Sequence, residues 1–487
     1  MRKTIFIFIL ILNVIIVKAQ SVTFQKYISG FGSFEITDII EHNQKFYLLC
    51  NQSNDTFDQH SSFLLKLNKE GDTVTYYGID VSFHYVLRAF TKSLTGGLCF
   101  VGGIDSLESN FNLSRDGLFI ESDFQGNINN IKSYRMSFKN ELNKIIQDDT
   151  SYFASGNTFP SNNNIDIQTV KISSNGTLLD SLKLDFRELD AVTSFKSAGE
   201  NILFSGTILG GFNDGYLSLL SKSLDTLFFK KFYFFNDINN RDIKLWYSYS
   251  SKISSNNTIL FPSVFFVRNP IDTNDWSTFE HSGLIRTDIN GNLKSLHIYY
   301  LNCRYDRPLD IFETNDGNYI IAGTINFAPL RPIPQSVKGD FYLMKVDTLG
   351  NILWFKQYGD TNYQEMKSVI QTSNGGFLMS GYSITNYPNQ ERTGFVVKTD
   401  SNGNVAVGIN QFKNNSTIIY PNPASNKLSI QSNTKYNNFS ILNMYGLQIL
   451  HGELFENEIN ISELSKGIFI LILENDTEYL QVKFIKE

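Results

Sequence analysis

The stretch "MKSVIQTSNGGFLMSGYS" (366–383) is followed, after a polar loop, by "GFVVKTDSNGNVAV" (394–407). It reads as strand, tight turn, apolar strand, variable loop, third strand, D-x-x-G turn and fourth strand. The same order occurs one unit earlier, in "PLDIFETNDGNYIIAGTI" (308–325) and "DFYLMKVDTLGNILWFKQYG" (340–359). Looser copies run upstream to residue 34. The aligned positions at the end of the second strand are Cys50, Gly102, Gly156, Gly206, Ser263, Gly323 and Gly381, spaced 50 to 60 residues apart. A fixed period of this length is the signature of a repeat architecture. Glycines supply positive φ at the turns, and Val, Ile, Phe and Tyr fill the strands.

The second strands are apolar on nearly every residue, which implies burial on both faces. A radial stack of four-stranded blades provides that burial, because each blade is held between two neighbours. A two-sheet sandwich would not give seven similar units. The expected fold is therefore all-β, a seven-bladed β-propeller over residues 20–407. The stretch "VTFQKYISGFG" (22–32) resembles "ILWFKQYG" (352–359), the fourth strand of the sixth unit. Residues 22–28 are expected to complete or extend the seventh blade, whose own fourth strand, "NVAVGIN", is short. The units resemble the divergent propeller repeats of large exported bacterial proteins, in which "DGGY-x-x-x-G" precedes "K-x-D-x-x-GN-x-x-W". The match is strong in the last two units and loose in the first five, with Trp354 alone keeping the tryptophan.

Residues 1–19 read as a secretory signal peptide, with Arg2 and Lys3 before "TIFIFILILNVIIV" and a small-residue cleavage pattern before Gln20. The apolar run is about fourteen residues, against about twenty for a membrane span. The chain is not expected to be an integral membrane protein. Removing Arg2, Lys3 and Lys18 takes the formal charge from −6 to −9, which disfavours nucleic acid as a partner. Cys50, Cys99 and Cys303 are odd in number and far apart, so buried thiols are expected rather than a disulfide framework.

From residue 417 the period changes. "IIYPNPASNKLSI" (418–430) leads into "NNFSILNMYGLQIL" (437–450), "INISELSKGIF" (459–469) and a terminal "KFIK". This tail resembles the C-terminal sorting domain of proteins exported by the type IX secretion system. The matching residues are Tyr420, Pro421, Asn422, Pro423, Gly446, Gly467 and Lys483. The family more often has Tyr where Phe469 stands. The resemblance implies a small seven-stranded, Ig-like β-sandwich at 417–487, after a linker at 408–416. It further implies that the export machinery is a partner and that the tail is usually cleaved. The passenger would then be secreted or held at the cell surface. Pro421 and Pro423 would stiffen the start of the tail's first strand.

No catalytic or cofactor-binding constellation stands out. The six histidines lack paired spacing, so no metal site is assigned. "DINGN" (288–292) and "DSNGN" (400–404) suit hairpin turns better than calcium loops. The long loops after the second strands carry aromatic and amide side chains that suit a glycan or protein ligand, although solvated loops serve equally well. Trp276, Phe279 and Phe327, in adjacent units, are the aromatic candidates for ligand binding. Two functions remain open: a non-catalytic binding or adhesion module, and a polysaccharide-active hydrolase or lyase. A close acidic pair or an Arg/His/Tyr cluster at the channel mouth would favour the second.

Overall fold

The computed structural model describes residues 22–487 apart from 54–59, 80–84, 108–112, 138, 162–163, 186–188, 210–213, 233, 237–241, 269–275, 302–305, 327–337, 386–390, 406–417, 433–434, 444–447, 455–456 and 476–478. The leader expected at 1–19 and the linker expected at 408–416 lie outside the described residues, as do Cys303, Phe327 and Gly446. The chain divides into two compact units, 1–405 and 406–487.

The first unit is a seven-bladed propeller of antiparallel strands. Its inner strands are Phe34–His42, Tyr85–Lys92, Lys139–Gln147, Leu189–Ala198, Asp242–Ser248 continued by Lys252–Ile253, Asp306–Glu313 and Tyr363–Gln371. In each blade the second, third and fourth strands follow outward. The seventh blade takes its fourth strand from the other end of the chain. Phe24–Ile28 pairs antiparallel with Glu391–Lys398, with Phe24 opposite Lys398 and Ile28 opposite Gly394. The expected closure is therefore what forms the ring.

Seven apolar clusters account for the continuous hydrophobicity of the second strands, one for each blade–blade interface. In blade 1, Leu48 and Cys50 pack with Leu378 and Val396 of blade 7. The alternate residues, Tyr47 and Leu49, pack with Leu87 and Phe100 of blade 2. The pattern continues around the ring to blade 7, where Phe377 and Met379 meet Ile320 and Leu343 of blade 6. A strand with both faces buried cannot alternate with polar residues, so its period is lost. Burial pushes the Cys50 and Cys99 thiols well up, and neither is in a disulfide.

The glycine column has a steric cause. Each inner strand carries an extra residue, a β-bulge, at the same place in the repeat, and that of blade 5 carries a second, Trp246, ahead of it. The register shifts between Ile36 and Asp38, Leu87 and Ala89, Leu142 and Lys144, Val192 and Ser194, Pro308 and Asp310, and Met366 and Ser368. In blade 5 the strand runs four steps, Ser248 to Lys252, against three from Ser263 to Leu260, so Tyr249 is extra. The bulge drives a carbonyl against the second strand. A Cβ on Gly381 would lie 1.9 Å from the Glu365 oxygen, and one on Gly102 1.9 Å from that of Val86. Bulges re-aim side chains, and here they turn residues toward the propeller axis.

The second unit holds two sheets that enclose a core containing Leu428, Ile441, Leu471 and Phe484. One sheet has the order Ile418–Tyr420, Lys427–Gln431, Glu458–Asn460, and the other Gln448–Glu453, Asn438–Asn443, Gly467–Glu474, Tyr479–Lys486. The Y-P-N-P step does more than stiffen a boundary. Asn422 Oδ1 accepts the Ile485 N–H at 2.9 Å, and the Ala424 N–H donates to the Ile485 carbonyl at 2.8 Å. The first motif of the tail thus clasps its terminal strand. Replacing Asn422 by Ala should cost about 1 kcal/mol, read as earlier loss of hydrogen-exchange protection in Tyr479–Lys486 of the full chain. Unchanged protection would show that the clasp is incidental.

Candidate functional site

The bulges build the site, because every blade contributes its extra residue, the one after it, or both to the axis. The extra residues are Thr37, Arg88, Asn143, Thr193, Tyr249, Leu309 and Lys367. All but Asn143 line a cavity of about 230 Å³, to which the inner strands of all seven blades contribute. Asp38, Lys144, Lys196, Ser250, Asp310 and Ser368 line it as well. Asp38 accepts the N–H groups of Ile39 at 2.9 Å and Phe90 at 3.1 Å, and the Ser368 hydroxyl at 3.1 Å. Burial raises its carboxyl above the ordinary value, against the pull of Lys144. Asp310 accepts the Ile311 N–H at 2.7 Å, the Ser250 hydroxyl and the Lys196 ammonium.

Inner strands begin, and second strands end, on the face where the long loops emerge. Blades 5, 6 and 7 gather a charged and aromatic cluster at that end. Buried Glu365 accepts Lys367 at 2.7 Å, the Tyr363 hydroxyl at 3.2 Å and the Tyr382 hydroxyl, with Arg307 at 3.7 Å. Burial opposes its ionisation, but Lys367, Arg307 and Tyr382 outweigh it and hold the carboxyl at about 2. The Arg307 guanidinium lies over the Tyr249 ring at 4.6 Å, and Arg392 over the Tyr382 ring at 4.6 Å. Such cation–ring contacts fix both partners in place.

Glu280 differs from Glu365. It sits half-buried on the third strand of blade 5, Trp276–Thr287, opposite Phe266. Burial raises its carboxyl to about 7, against the attraction of Arg307. Asp306, fully buried at the start of the blade 6 inner strand, accepts the Ser282 N–H at 2.8 Å. Burial lifts it to about 7 as well, with Glu280 adding to the rise. The mouth therefore holds one ionised carboxylate and two carboxyls that exchange protons near neutrality. Arginine, tyrosine and carboxyl side chains of three blades thus meet at this end.

Sequence reasoning did not find these residues. Trp276 and Phe279 begin the strand that carries Glu280; their side chains lie outside the described residues. Phe327 lies outside them altogether. The turns at 288–292 and 400–404 are self-capped, as their hairpin character requires. Asp288 Oδ1 accepts the Asn290 and Asn292 N–H groups at 2.9 and 2.8 Å, and Asp400 repeats the pattern. Among the described residues no group of three or more His, Cys, Asp or Glu side chains is arranged to hold a metal. No helix among them is long and apolar enough to cross a membrane.

Residues 418–487 match the secretion system C-terminal sorting domain family. No curated protein matches the chain. Among solved structures, the chain is similar to a polysaccharide lyase of family PL25, an ulvan lyase bound to -[GlcA(1-4)Rha3S]-. The TM-score is 0.52 at 11% identity, covering 77% of this chain and 96% of that one. Weaker likenesses include the β-propeller domain of the trilobed protease from Pyrococcus furiosus, with a TM-score of 0.41, 8% identity, and coverage of 79% and 99%. The α-L-arabinanase of Penicillium chrysogenum has a TM-score of 0.40, 7% identity, and coverage of 78% and 97%.

Proposed function

Because the chain is a β-propeller exported by the type IX secretion system, we propose that it is a glycan-binding protein of the cell exterior. Its ligand docks at the channel mouth. In this reading 1–19 is a leader, 20–407 the passenger, 408–416 a linker and 417–487 the export address. The observation that supports it is the convergence of Tyr249, Tyr382, Arg307, Lys367 and Glu280 from three adjacent blades where the long loops emerge. Rings, cations and carboxylates on a concave surface suit a polyhydroxylated ligand. Trp276 and Phe279 precede Glu280 in the sequence, and Phe327 follows the second strand of the next unit, so all three stay candidates for the aromatic part of this ligand site.

A glycan array probed with the purified chain tests the proposal. A retained glycan should bind Trp276→Ala more weakly by about 1–3 kcal/mol, on the stacking scale of aromatic contacts, with the melting temperature unchanged. Retention of no glycan would contradict it. A large stability loss with intact binding would make Trp276 a packing residue.

Glu280 favours a second reading, an enzyme acting on the same polysaccharide. A half-buried carboxyl at about 7 gives or takes a proton readily near neutral pH. The ulvan lyase shares the fold, and the reading rests on Glu280 rather than on that likeness. Turnover of the retained polysaccharide, followed by reducing ends and by absorbance of unsaturated products, separates the two. Glu280→Gln should abolish turnover while weakening binding only a few-fold. A wild-type chain that binds without turnover would leave the binding reading alone.

A further inference from the structure

The axial cavity has a charge balance that the mouth cluster does not explain. Four cations line it, Arg88, Lys144, Lys196 and Lys367, against the two carboxylates of Asp38 and Asp310. Three of the cations are matched at close range: Arg88 by Glu141, Lys196 by Asp310 and Lys367 by Glu365. Lys144 makes no hydrogen bond or ion pair within 4 Å among the described residues, and attraction from Asp38 reaches it through space. The two Asp38 oxygens already accept three donors, and Asp310 Oδ1 accepts another three, the Lys196 ammonium among them. An unmatched ammonium in a polar cavity of about 230 Å³ calls for an anion, since a partly buried charge is stable when paired.

We propose that the axial cavity is an anion subsite in which Lys144 receives one acidic group, a carboxylate or a sulfate ester, of the glycan held at the mouth. The inference rests on the reading of the mouth as a glycan site and narrows the ligand to acidic polysaccharides. The volume suits one sugar residue. Lys367 and Tyr249 belong both to this cavity and to the mouth cluster, so a chain lying across the mouth can lower one acidic residue onto the axis.

Affinity electrophoresis of the full chain against polygalacturonate, dextran sulfate and neutral dextran tests this. At least one anionic polymer should bind about tenfold or more tightly than dextran, and the arm that binds identifies carboxylate or sulfate. Lys144→Gln should lose about tenfold of that affinity, the scale of a hydrogen bond to a charged group, while Lys144→Arg keeps most of it. Equal binding of dextran and the anionic polymers, or a Lys144→Gln chain that binds like wild type, would overturn the subsite and leave the glycan reading standing. If no polymer binds, the mouth reading fails, and the wild-type melting temperature in sodium glucuronate against glucose decides the subsite by itself. A rise in glucuronate alone supports it, and no difference overturns it. That arm also decides if Lys144→Gln does not fold.

Discussion

Removing residues 22–28 lowers the melting temperature of the purified chain by about 5–10 °C and makes it prone to aggregate. Phe24 and Ile28 are buried in the cluster that joins blades 7 and 1, and each contributes about 1.5–3 kcal/mol by burial. Such a loss, shared over a domain this large, gives a shift of that size. Side-chain contacts add to the ladder. Lys26 pairs with Asp72 of blade 1 at 2.6 Å, Tyr27 donates to Asp360, and Lys398 donates to the Val22 carbonyl at 2.5 Å. Phe24 also packs on the blade 1 turn, where a Cβ on Gly71 would lie 2.5 Å from its ring. Without this strand, Glu391–Lys398 becomes an unpaired apolar edge, a template for association. Coincident melting curves for chains beginning at Ser21 and at Gly30 would contradict closure by this strand.

Asp306→Asn should stabilise the propeller at pH 8 and hardly change it at pH 4. The Asp306 carboxyl holds its proton in the fold up to about 7, against an ordinary value of 3.8. Between those values the unfolded chain ionises and the fold does not, so this group favours unfolding progressively as pH rises from about 4 to 7. Above 7 the full penalty remains, up to roughly 4 kcal/mol at 1.36 kcal/mol per pH unit. Asparagine keeps the Oδ1 acceptor for the Ser282 N–H and puts a neutral group where Oδ2 has no hydrogen-bond partner among the described residues. Glu280, raised in the same direction, leaves a weaker slope of the same sign in the variant. Equal melting shifts at pH 5 and pH 8, or destabilisation at pH 8, would show that Asp306 ionises in the fold near its ordinary value.

What the sequence reveals and what it hides follow from different physics. Seven units were legible because each second strand is buried on both faces, as Leu48 and Leu49 show by packing toward opposite neighbours. The closure was legible because Phe24–Ile28 repeats the composition of a fourth strand. The glycine column was visible as spacing, but its cause was not, since the bulge carbonyl that forbids a Cβ at Gly381 comes from Glu365, sixteen residues away. The channel was hidden for a related reason. Its residues arrive singly, about fifty positions apart, and Thr37, Arg88, Lys144 or Lys367 look like ordinary solvated strand residues until the bulge turns them inward. Glu280 and Asp306 carry no motif, and their chemistry comes from burial beside Arg307. In the tail, Asn422 stood inside a recognised motif, yet its grip on Ile485 joins residues 63 apart.

Hydrogen exchange of the full chain with and without a retained acidic polysaccharide tests the central claim, that the ligand enters the channel mouth. Added protection is predicted at Tyr247–Ser250, Arg307–Asp310 and Glu365–Ser368, with none at the turn Asp400–Asn404. Protection confined to 418–487, or spread evenly over the blade turns, would contradict it.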